Sequence, residues 1–414
     1  MKKKILITAY DIDPMRGSES TTGWNIPLNI DANKFDITVI TRLNNLPNIE
    51  KKKAELGLEI NFLGYDLPKY LSFWKKGSRG AMLYFYLWQI SVPYFISKSK
   101  IKFDLVHSLN FHCDYVPHFL WVFGKPNIWG PVNHHESIPF QFIPKNFSNI
   151  NLLVKEVAKK TIKLMFYNLD PFLYLCKKNT SHIFVANKSS QVRLRPRCGS
   201  FSYLSQIGSD DLSKRNVGKK TGSLNGGFKF SFMGRLVPLK GVDLVIEAFA
   251  MLMASLDKDK NNGVKLIFIG DGELRSYITH HCKLHNISDC VEITGWLDRD
   301  TALNFLSVSD VFVFPSHEGG GLVLSESASL GIPVISLDND GAGSILSAQS
   351  SIKISVITRK QVVNDLAVAM EMVLSDVSRR EKLSEHIKYE YLEHMSWATK
   401  GCQISKVYEQ LLNN

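Results

Sequence analysis

The stretch from Phe312 to Gly343, FVFPSHEGGGLVLSESASLGIPVISLDNDGAG, decides the fold. It opens with an apolar strand, passes through a glycine-rich turn, continues as a helix from about Gly321 and ends in a second strand. A strand, a helix and a strand in this order predict a parallel sheet with helices packed on its faces. Two carboxylates accompany the turn, Glu318 before the helix and Glu326 within it.

The glycines of this turn, Gly319 to Gly321, favour the binding of a phosphate group. Without a Cβ they let the backbone approach a ligand closely, and the unpaired N–H groups at a helix start attract an anion. The Glu326 carboxylate is suited to accept hydrogen bonds from two ribose hydroxyls, and Glu318 is suited to meet sugar hydroxyls or the reacting centre. The alternative is an acidic loop residue followed by an ordinary capped helix.

Two cations lie in a second turn, MGRLVPLKG, at residues 233–241. The turn follows a predicted strand, Phe228 to Phe232, and opens a predicted helix, Val242 to Leu252. A departing nucleoside diphosphate gains negative charge, so Arg235 and Lys240 beside a helix N-terminus are suited to stabilise it. The alternative is that both are solvated surface cations.

Apolar strands alternate with helical stretches along the whole chain, which predicts two successive parallel sheets. The remaining predicted strands are Ile5 to Ala9, Ile37 to Thr41, Asp104 to His107, Asn127 to Trp129, Lys265 to Ile269, Val291 to Thr294, Val311 to Phe314 and Pro333 to Leu337. Between the two series the periodicity is lost, and we place a linker near Asp210 to Gly226. The first domain is therefore expected at residues 1–215 and the second at residues 216–395.

The composition is that of a globular chain, with 44% hydrophobic and 21% charged residues among 414. The net charge of +11 predicts a surface that attracts anions, but no helix-turn-helix, finger or RNP-like pattern directs it to nucleic acid, which we exclude. The apolar run Ala81 to Ile96 is too short to cross a bilayer, and the stretch after the N-terminal lysines is too short for a signal sequence. The six cysteines lack paired or metal-ligand spacing, which favours a cytoplasmic location.

Together these motifs resemble the family-4 retaining glycosyltransferases of the GT-B fold. The resemblance rests on GRLVPLKG, IGDGELR, the two glutamates with seven residues between them, and LGIPVI, in the family's order and spacing over residues 228–343. In the N-terminal half, Arg16-Gly17-Ser18-Glu19 with Gly23-Trp24, and the run Ile128 to Val132, are similar to a branch of the family found in bacterial polysaccharide synthesis.

The resemblance implies two Rossmann-like domains that face each other across a cleft, with a C-terminal helix, residues 396–414, that crosses back to the N-terminal domain. It implies that both domains bind the donor, through Gly17, Arg235, Lys240, Gly320, Gly321, Leu322 and Glu326. It assigns a catalytic role to Glu318 and to a histidine beside the sugar, either His134 or His135. His107 is a further candidate, although the tail of an apolar strand is more often a core position.

The implied reaction transfers a sugar from a UDP or GDP sugar with retention of the anomeric configuration. The acceptor hydroxyl attacks from the side that the diphosphate leaves, and a leaving phosphate oxygen takes its proton. No cofactor or metal is expected, because Asp338-Asn339-Asp340 lies after a strand rather than where a divalent ion bridges a nucleotide diphosphate. The family commonly has an aromatic residue at Gly320 and Leu or Ala at Ser325, Ser327 and Ser329, so the donor sugar stays open.

Two segments interleave aromatic or apolar residues with lysines, Tyr65 to Lys102 and Leu152 to Lys178. This pattern suits an anionic membrane surface, and the alternative is ordinary helices with solvated faces. Membrane contact predicts a lipid-linked saccharide acceptor, used on the inner face of the plasma membrane in the synthesis of O-antigen, capsule or exopolysaccharide. Two other functions stay open, a nucleotide-sugar epimerase or hydrolase of the same fold and a non-catalytic GT-B binding subunit.

Overall fold

The computed structural model of the protein describes residues 1–17, 19–77, 79–134, 138–142, 150–194, 200–214, 227–256 and 263–413. By their contacts, these residues form two compact units. The first unit consists of Met1–His134, Val157–Gln206 and the chain from Trp397 onward, and the second consists of Ile207–Ser396 with the described residues between His135 and Glu156.

The first unit is built on a seven-stranded sheet in the order β3-β2-β1-β4-β5-β6-β7. Its strands are β1 (Lys3–Thr8), β2 (Phe35–Thr41), β3 (Asn61–Gly64), β4 (Leu105–Ser108), β5 (Asn127–Val132), β6 (His182–Val185) and β7 (Ser200–Tyr203). All neighbouring pairs run parallel. The strand order reverses between β1 and β4, and in open parallel sheets the carboxyl ends at such a point are where ligands bind.

The second unit is built on a six-stranded sheet in the order β10-β9-β8-β11-β12-β13. Its strands are β8 (Lys229–Met233), β9 (Lys265–Ile269), β10 (Val291–Ile293), β11 (Val311–Phe314), β12 (Val334–Leu337) and β13 (Ser351–Ile354). These pairs are parallel as well, and the order reverses between β8 and β11. The prediction of two parallel sheets in one chain is therefore confirmed.

Helices connect most of these strands. Those before β8 are α1 (Glu19–Leu28), α2 (Leu46–Leu56), α3 (Lys69–Ser72), α4 (Ala81–Lys98), α5 (Ile150–Leu169), α6 (Pro171–Asn179) and α7 (Lys188–Leu194). Those after β8 are α8 (Val242–Ser255), α9 (Arg275–Leu284), α10 (Arg299–Ser307), α11 (Leu322–Ser329), α12 (Ala342–Ile345), α13 (Arg359–Ser375), α14 (Val377–Glu390) and α15 (Trp397–Asn413). Capping side chains mark the N-termini of several helices. Asp298 accepts a hydrogen bond from the Thr301 N–H at the start of α10, and Thr358 forms a capping box with Gln361 at the start of α13.

Three aromatic residues of α4 are buried in the core of the first unit. Tyr84, Phe85 and Trp88 are at most 2% exposed, and the rings of Phe85 and Trp88 lie 4.9 and 5.4 Å from the ring of Tyr10. Apolar periodicity alone does not distinguish a helix face that packs in the core from one that contacts a membrane, because both run along one side of the helix. These three side chains cannot contact a membrane surface.

The boundary between the units precedes the expected one. The contacts divide the chain between Gln206 and Ile207, whereas the sequence places the division at 215/216. The difference arises because Ile207 and Leu212 are buried in an apolar cluster of the second unit. Most of the expected linker, residues 215–226, lies outside the described residues.

Two further features follow from the described residues. None of their helices is long and apolar enough to cross a membrane. Their cysteines, Cys113, Cys176, Cys282, Cys290 and Cys402, are all free thiols.

Candidate active site

The carboxyl ends of β8 and β11 are where the second unit is expected to bind a ligand, because the strand order reverses between them. Residues 234–241 follow β8 and residues 315–321 follow β11. These two loops carry the cations and the first glutamate of the predicted site. The sheet topology therefore brings two motifs that are distant in sequence to one edge of the sheet.

An ion pair joins the two loops. The Lys240 Nζ lies 2.5 Å from the Glu318 Oε2, and the two side chains are only 12% and 23% exposed. The same ammonium group lies 5.4 Å from the centre of the Phe314 ring. Partial burial strengthens the attraction between opposite charges, since less water screens it.

Hydrogen bonds hold the loop after β11 in place. The Leu239 carbonyl oxygen accepts from the His317 N–H at 2.9 Å, and the Ser316 carbonyl oxygen accepts from the Asn339 side chain at 2.7 Å. The Asn339 side-chain oxygen in turn accepts from the Gly341 N–H at 3.0 Å. The loop that carries Glu318 is thus fixed to the loops on both sides of it.

Gly241 allows the two loops to touch. Its φ of +67° is left-handed, and a Cβ at this position would lie 2.2 Å from the Pro315 carbonyl oxygen. A side chain is excluded both by the backbone conformation and by the contact. The glycine therefore brings Lys240 close to the chain that leads to Glu318.

The start of helix α11 lies beside the same ammonium group. Gly321 precedes the helix and has no side chain with which to cap it, and Leu322 is the first helical residue. A Cβ on Gly321 would lie 3.8 Å from the Lys240 Nζ. A lysine ammonium group beside a helix N-terminus is a favourable environment for an anion.

Gly320 is packed more tightly than the resemblance implies. A Cβ there would lie 3.2 Å from a methyl carbon of Ile207 and 3.3 Å from one of Ile345. An aromatic side chain, common in the family at this position, would require these neighbours to shift. The serines at 325, 327 and 329, which also differ from the family pattern, are buried and donate hydrogen bonds to carbonyl groups of their own helix.

Glu326 is buried and paired with a cation that the sequence analysis missed. It lies within α11, is 1% exposed and accepts a hydrogen bond from the guanidinium group of Arg299. Arg299 is the first residue of α10, and its side chain is 50% exposed. The only sequence signal was the N-cap residue Asp298, which places Arg299 at a helix start after β10.

Arg235 follows β8 and is exposed. Among the described residues we find no carboxylate paired with it. It lies in the same loop as Lys240, but no described contact joins it to the Lys240–Glu318 pair.

In the first unit, the loop after β1 contains Gly17. Among the described residues, no atom lies within 4 Å of the position that a Cβ on Gly17 would take, and Ser18 lies outside the described residues. Glu19 begins α1, and its carboxylate accepts from the Phe111 N–H at 3.3 Å, which joins the loops after β1 and β4. Burial raises the pKa of Glu19 to about 7.

His134 lies beyond β5 and is oriented by a buried carboxylate. Its Nδ1 lies 3.2 Å from the Asp114 Oδ1, and Asp114 also binds the guanidinium group of Arg193. Arg193 stacks 3.7 Å above the centre of the Tyr167 ring. Burial alone would raise the pKa of Asp114, but the hydrogen bonds and charges of His134 and Arg193 outweigh it and lower the pKa.

The other two histidine candidates are His135 and His107. His135 lies outside the described residues. His107 is buried in the core, with its Nδ1 2.7 Å from the Tyr408 hydroxyl and its Nε2 2.7 Å from the Gly130 carbonyl oxygen. Burial lowers the pKa of His107 to about 4, so this side chain is a neutral core residue.

In the described part of the chain, no group of three or more His, Cys, Asp or Glu side chains is arranged to hold a metal ion.

Comparison with known proteins relates the second unit to glycosyltransferases. Residues 213–389 match the family described as Glycosyl transferases group 1. The lipopolysaccharide core biosynthesis glycosyltransferase LpsE of Rhizobium meliloti is 32% identical over 155 residues, which are 37% of this chain and 41% of that protein. The chain spans less than half the length of the first curated relatives that it matches.

Solved structures match the chain over nearly its whole length. HepE from Anabaena, crystallised with UDP and glucose, has a TM-score of 0.58 at 16% identity and covers 98% of this chain and 99% of that one. WaaG, a glycosyltransferase involved in lipopolysaccharide biosynthesis, has a TM-score of 0.59 at 14% identity and covers 97% and 99%. Identities this low show the fold alone. Together with the two parallel sheets they show the GT-B fold that the sequence predicts.

Proposed function

We propose that the protein is a retaining glycosyltransferase that moves a hexose-type sugar from a UDP or GDP sugar to a saccharide acceptor. The observation that carries the proposal is the Lys240–Glu318 pair at the start of α11, with the buried Glu326 further along the same helix. The match of residues 213–389 to Glycosyl transferases group 1 covers all three residues and supports it.

The diphosphate of the donor is proposed to bind at the start of α11. Lys240 and the first backbone N–H groups of the helix supply positive potential there, and the exposed Arg235 supplies a second cation. These groups stabilise the charge that develops on the leaving diphosphate, so the proposed reaction needs no metal. Activity that survives excess chelator would support this, and strict loss of activity on chelation would contradict it.

The proposed chemistry is a front-side displacement. The bond from the anomeric carbon to the diphosphate oxygen breaks, and a bond to the acceptor hydroxyl oxygen forms on the same face. The acceptor proton passes to an oxygen of the leaving diphosphate. Glu318 orients the sugar hydroxyls, and Glu326 accepts hydrogen bonds from the ribose.

The first unit is proposed to contribute Gly17 and a histidine. Gly17 brings backbone N–H groups to the donor phosphates. The Asp114 contact engages the Nδ1 of His134, which makes Nε2 the ring nitrogen for a sugar hydroxyl. His135 is the alternative to His134.

The acceptor is proposed to be a saccharide on a lipid carrier, used at the cytoplasmic face of the plasma membrane in the synthesis of a cell-surface polysaccharide. The names of LpsE and WaaG support a polysaccharide pathway. Contact with an anionic membrane is supported by exposed apolar side chains among the lysines of the first unit. They are Tyr70, Phe73, Leu83, Tyr94, Ile162, Met165, Leu169 and Phe172.

The test begins with nucleotide binding. Thermal stabilisation by UDP, GDP, ADP and CMP sugars is measured for the wild type and for Glu326→Gln and Lys240→Met. A nucleotide at a hundred times its dissociation constant should add roughly 2.7 kcal/mol of stability. Stabilisation of the wild type by one nucleotide class, with loss in both variants, is the expected result.

Product analysis completes the test. The stabilising donor is incubated with a polyprenyl-diphosphate saccharide, and the anomeric configuration of the product is read by NMR. A product that keeps the donor configuration supports the proposal. Release of a free sugar or its epimer without any acceptor would instead assign the protein to the hydrolase or epimerase class, and the absence of any nucleotide binding would contradict a donor site.

A further inference from the structure

Arg299 forms an ion pair with the carboxylate of Glu326. Arg299 is the first residue of α10, and Glu326 lies within α11. The Arg299 side chain is 50% exposed, whereas that of Glu326 is only 2% exposed. A carboxylate this deeply buried is unfavourable in its charged form unless a cation or hydrogen-bond donors accompany it. Arg299 supplies both.

We infer that Arg299 is a positioning residue for nucleotide recognition: it holds Glu326 in the charged, oriented form that accepts the two ribose hydroxyls. The inference rests on the proposed function, in which Glu326 binds the ribose. Arg299 itself need not touch the nucleotide for this role.

A carboxylate can bind a guanidinium group and hydroxyl groups at the same time. A carboxylate has two oxygens with about four lone-pair sites, and the described guanidinium contact uses the Oε1 of Glu326. The inference therefore requires the two ribose hydroxyls to bind at acceptor sites other than the one that Arg299 uses. Hydrogen bonds to an ionised carboxylate are roughly twice as strong as those to a neutral group, so the charge set by Arg299 acts directly on ribose affinity.

A plain structural role would be different. If Arg299 only links α10 to α11, its removal lowers stability and weakens every nucleotide to the same extent. If it positions Glu326, its removal weakens only those nucleotides that carry ribose hydroxyls. The two roles are separated by comparing a nucleotide with its 2′,3′-dideoxy counterpart.

The experiment uses the full chain and calorimetric titration. The probes are the nucleoside diphosphate, UDP or GDP, that binds the wild type, and the corresponding 2′,3′-dideoxynucleoside diphosphate. The variants are Arg299→Met, Arg299→Lys, Glu326→Gln and the double variant Arg299→Met/Glu326→Gln. Arg379→Met, at an exposed arginine on α14, is the matched control.

In the wild type and the control we expect the ribonucleotide to bind more tightly than the dideoxynucleotide. Arg299→Met should reduce this preference roughly tenfold, the size expected for hydrogen bonds to a charged group, while dideoxynucleotide affinity changes less than about twofold. Arg299→Lys should restore part of the preference because it keeps the charge. In the Glu326→Gln background, Arg299→Met should have no further effect.

An unchanged preference in Arg299→Met and Arg299→Lys, with lower thermal stability, would overturn the inference and leave the proposed function standing. Failure of the wild type to bind any nucleoside diphosphate would overturn both. If Arg299→Met does not fold, the decision rests on Arg299→Lys. Its preference for the ribonucleotide over the dideoxynucleotide is expected to lie between those of the wild type and Glu326→Gln. A preference equal to that of the wild type would count against the inference.

Discussion

Lys240 is a cation in a position that shields it from water. Its side chain is 12% exposed, it forms an ion pair with Glu318, and the N-terminus of α11 lies beside it. An anion that binds there meets a pre-oriented ammonium group rather than a mobile, fully hydrated one. Much of the ordering cost of binding is thus met by the fold itself.

Replacing Lys240 with Met should weaken nucleoside diphosphate binding roughly tenfold or more, the range for hydrogen bonds to charged groups. The side chain keeps its length and apolar contacts, so the fold should survive. Calorimetric titration measures the affinity, and Lys382→Met, at an exposed lysine on α14, is the control. Equal affinities of the two variants would exclude Lys240 from the diphosphate site.

Gly241 allows a second comparison at a single residue. Gly241→Ala places a methyl group against the Pro315 carbonyl oxygen. Gly57→Ala tests a glycine of similar φ, +63°, whose Cβ would have no described atom within 4 Å. The left-handed conformation alone should cost about 1 kcal/mol in both. We expect Gly241→Ala to lose on the order of 3 kcal/mol of stability by calorimetry, and to bind nucleotide less well. Equal losses would mean that the two loops separate without cost.

The residues predicted from sequence are those whose motif is local. Lys240, Glu318 and Glu326 each lie at a fixed distance from a glycine turn or a helix start, so their spacing already indicates a common edge of the sheet. Arg299 is 27 residues before Glu326, and Arg193 is 79 residues beyond Asp114, in each case on another element. Such pairings depend on how crossovers bring elements together, and no local pattern records them.

Three buried histidines lie on strand β4 and in the loop that follows it. Burial lowers the pKa of His107 to about 4 and that of His118 to about 3, and it lowers the pKa of His112 well below its usual value. These rings stay neutral in the folded chain but take up protons in the unfolded chain below about pH 6.5. Their contribution to stability is therefore complete above that pH and is lost as the pH falls toward 4.

We expect the urea midpoint of the first unit to fall between pH 7.5 and pH 5, by an amount that His118→Asn reduces. Tryptophan fluorescence reports this unit, because every tryptophan except the exposed Trp296 belongs to it. Glu19, whose pKa is raised to about 7, acts in the opposite direction, so the difference between variant and wild type is the decisive quantity. An identical pH dependence in His118→Asn would contradict the assignment, and His386→Asn, at an exposed site, is the control.

Helices α5 and α6 expose Leu169 at 73% and Phe172 at 44%. If this face meets an anionic membrane, Leu169→Asp/Phe172→Asp should reduce sedimentation with anionic vesicles roughly tenfold or more, because each apolar side chain contributes about 1.5–3 kcal/mol when buried. Leu284→Asp, at a residue 61% exposed in the second unit, should bind as the wild type does. Equal sedimentation of both variants would remove this face from the membrane proposal.

Elements with long apolar runs were predictable, and short polar ones were not. The strands β1, β2, β8 and β9 stand out as runs of β-branched and aromatic residues. The strands β3, β6, β7 and β13 have four residues each. Three of them, β3 (NFLG), β7 (SFSY) and β13 (SIKI), are edge strands with partial burial, whereas β6 (HIFV) is buried but short. Their hydrogen bonds to a neighbouring strand define them, and a neighbour is not visible in a local window.

At the scale of the whole molecule, the chain builds the same doubly wound order twice. In each sheet the order reverses once, and the predicted Gly17, Arg235, Lys240 and Glu318 lie in loops that follow the strands at those reversals. This repetition could be predicted from the alternation of strands and helices, because parallel strands require crossovers. The division at 206/207 could not, since it depends on which core takes up Ile207.

The last helix, α15, belongs by its contacts to the first unit, although nearly 200 residues of the second unit precede it. Lys400 donates to the carbonyl and hydroxyl oxygens of Ser205, and Ser405 accepts from the Asp31 N–H. Tyr408 is fully buried against His107 of β4. The first unit is therefore completed by a helix that follows the second unit in sequence.

The variant Tyr408→Phe, which removes a single hydroxyl group, tests whether α15 stabilises the first unit. It leaves the ring packed but removes the hydroxyl that partners the buried Nδ1 of His107, which should lower the stability of the first unit by about 1–3 kcal/mol. Tyr389→Phe, at a ring 66% exposed on α14, should change nothing. The expected signature is an earlier unfolding transition by tryptophan fluorescence, with the nucleotide affinity of the second unit unchanged when measured well below that transition. If Tyr408→Phe unfolds at the same point as the wild type, α15 does not stabilise the first unit through this contact. If both variants unfold earlier, the cause is the loss of a hydroxyl in general rather than the contact between β4 and α15.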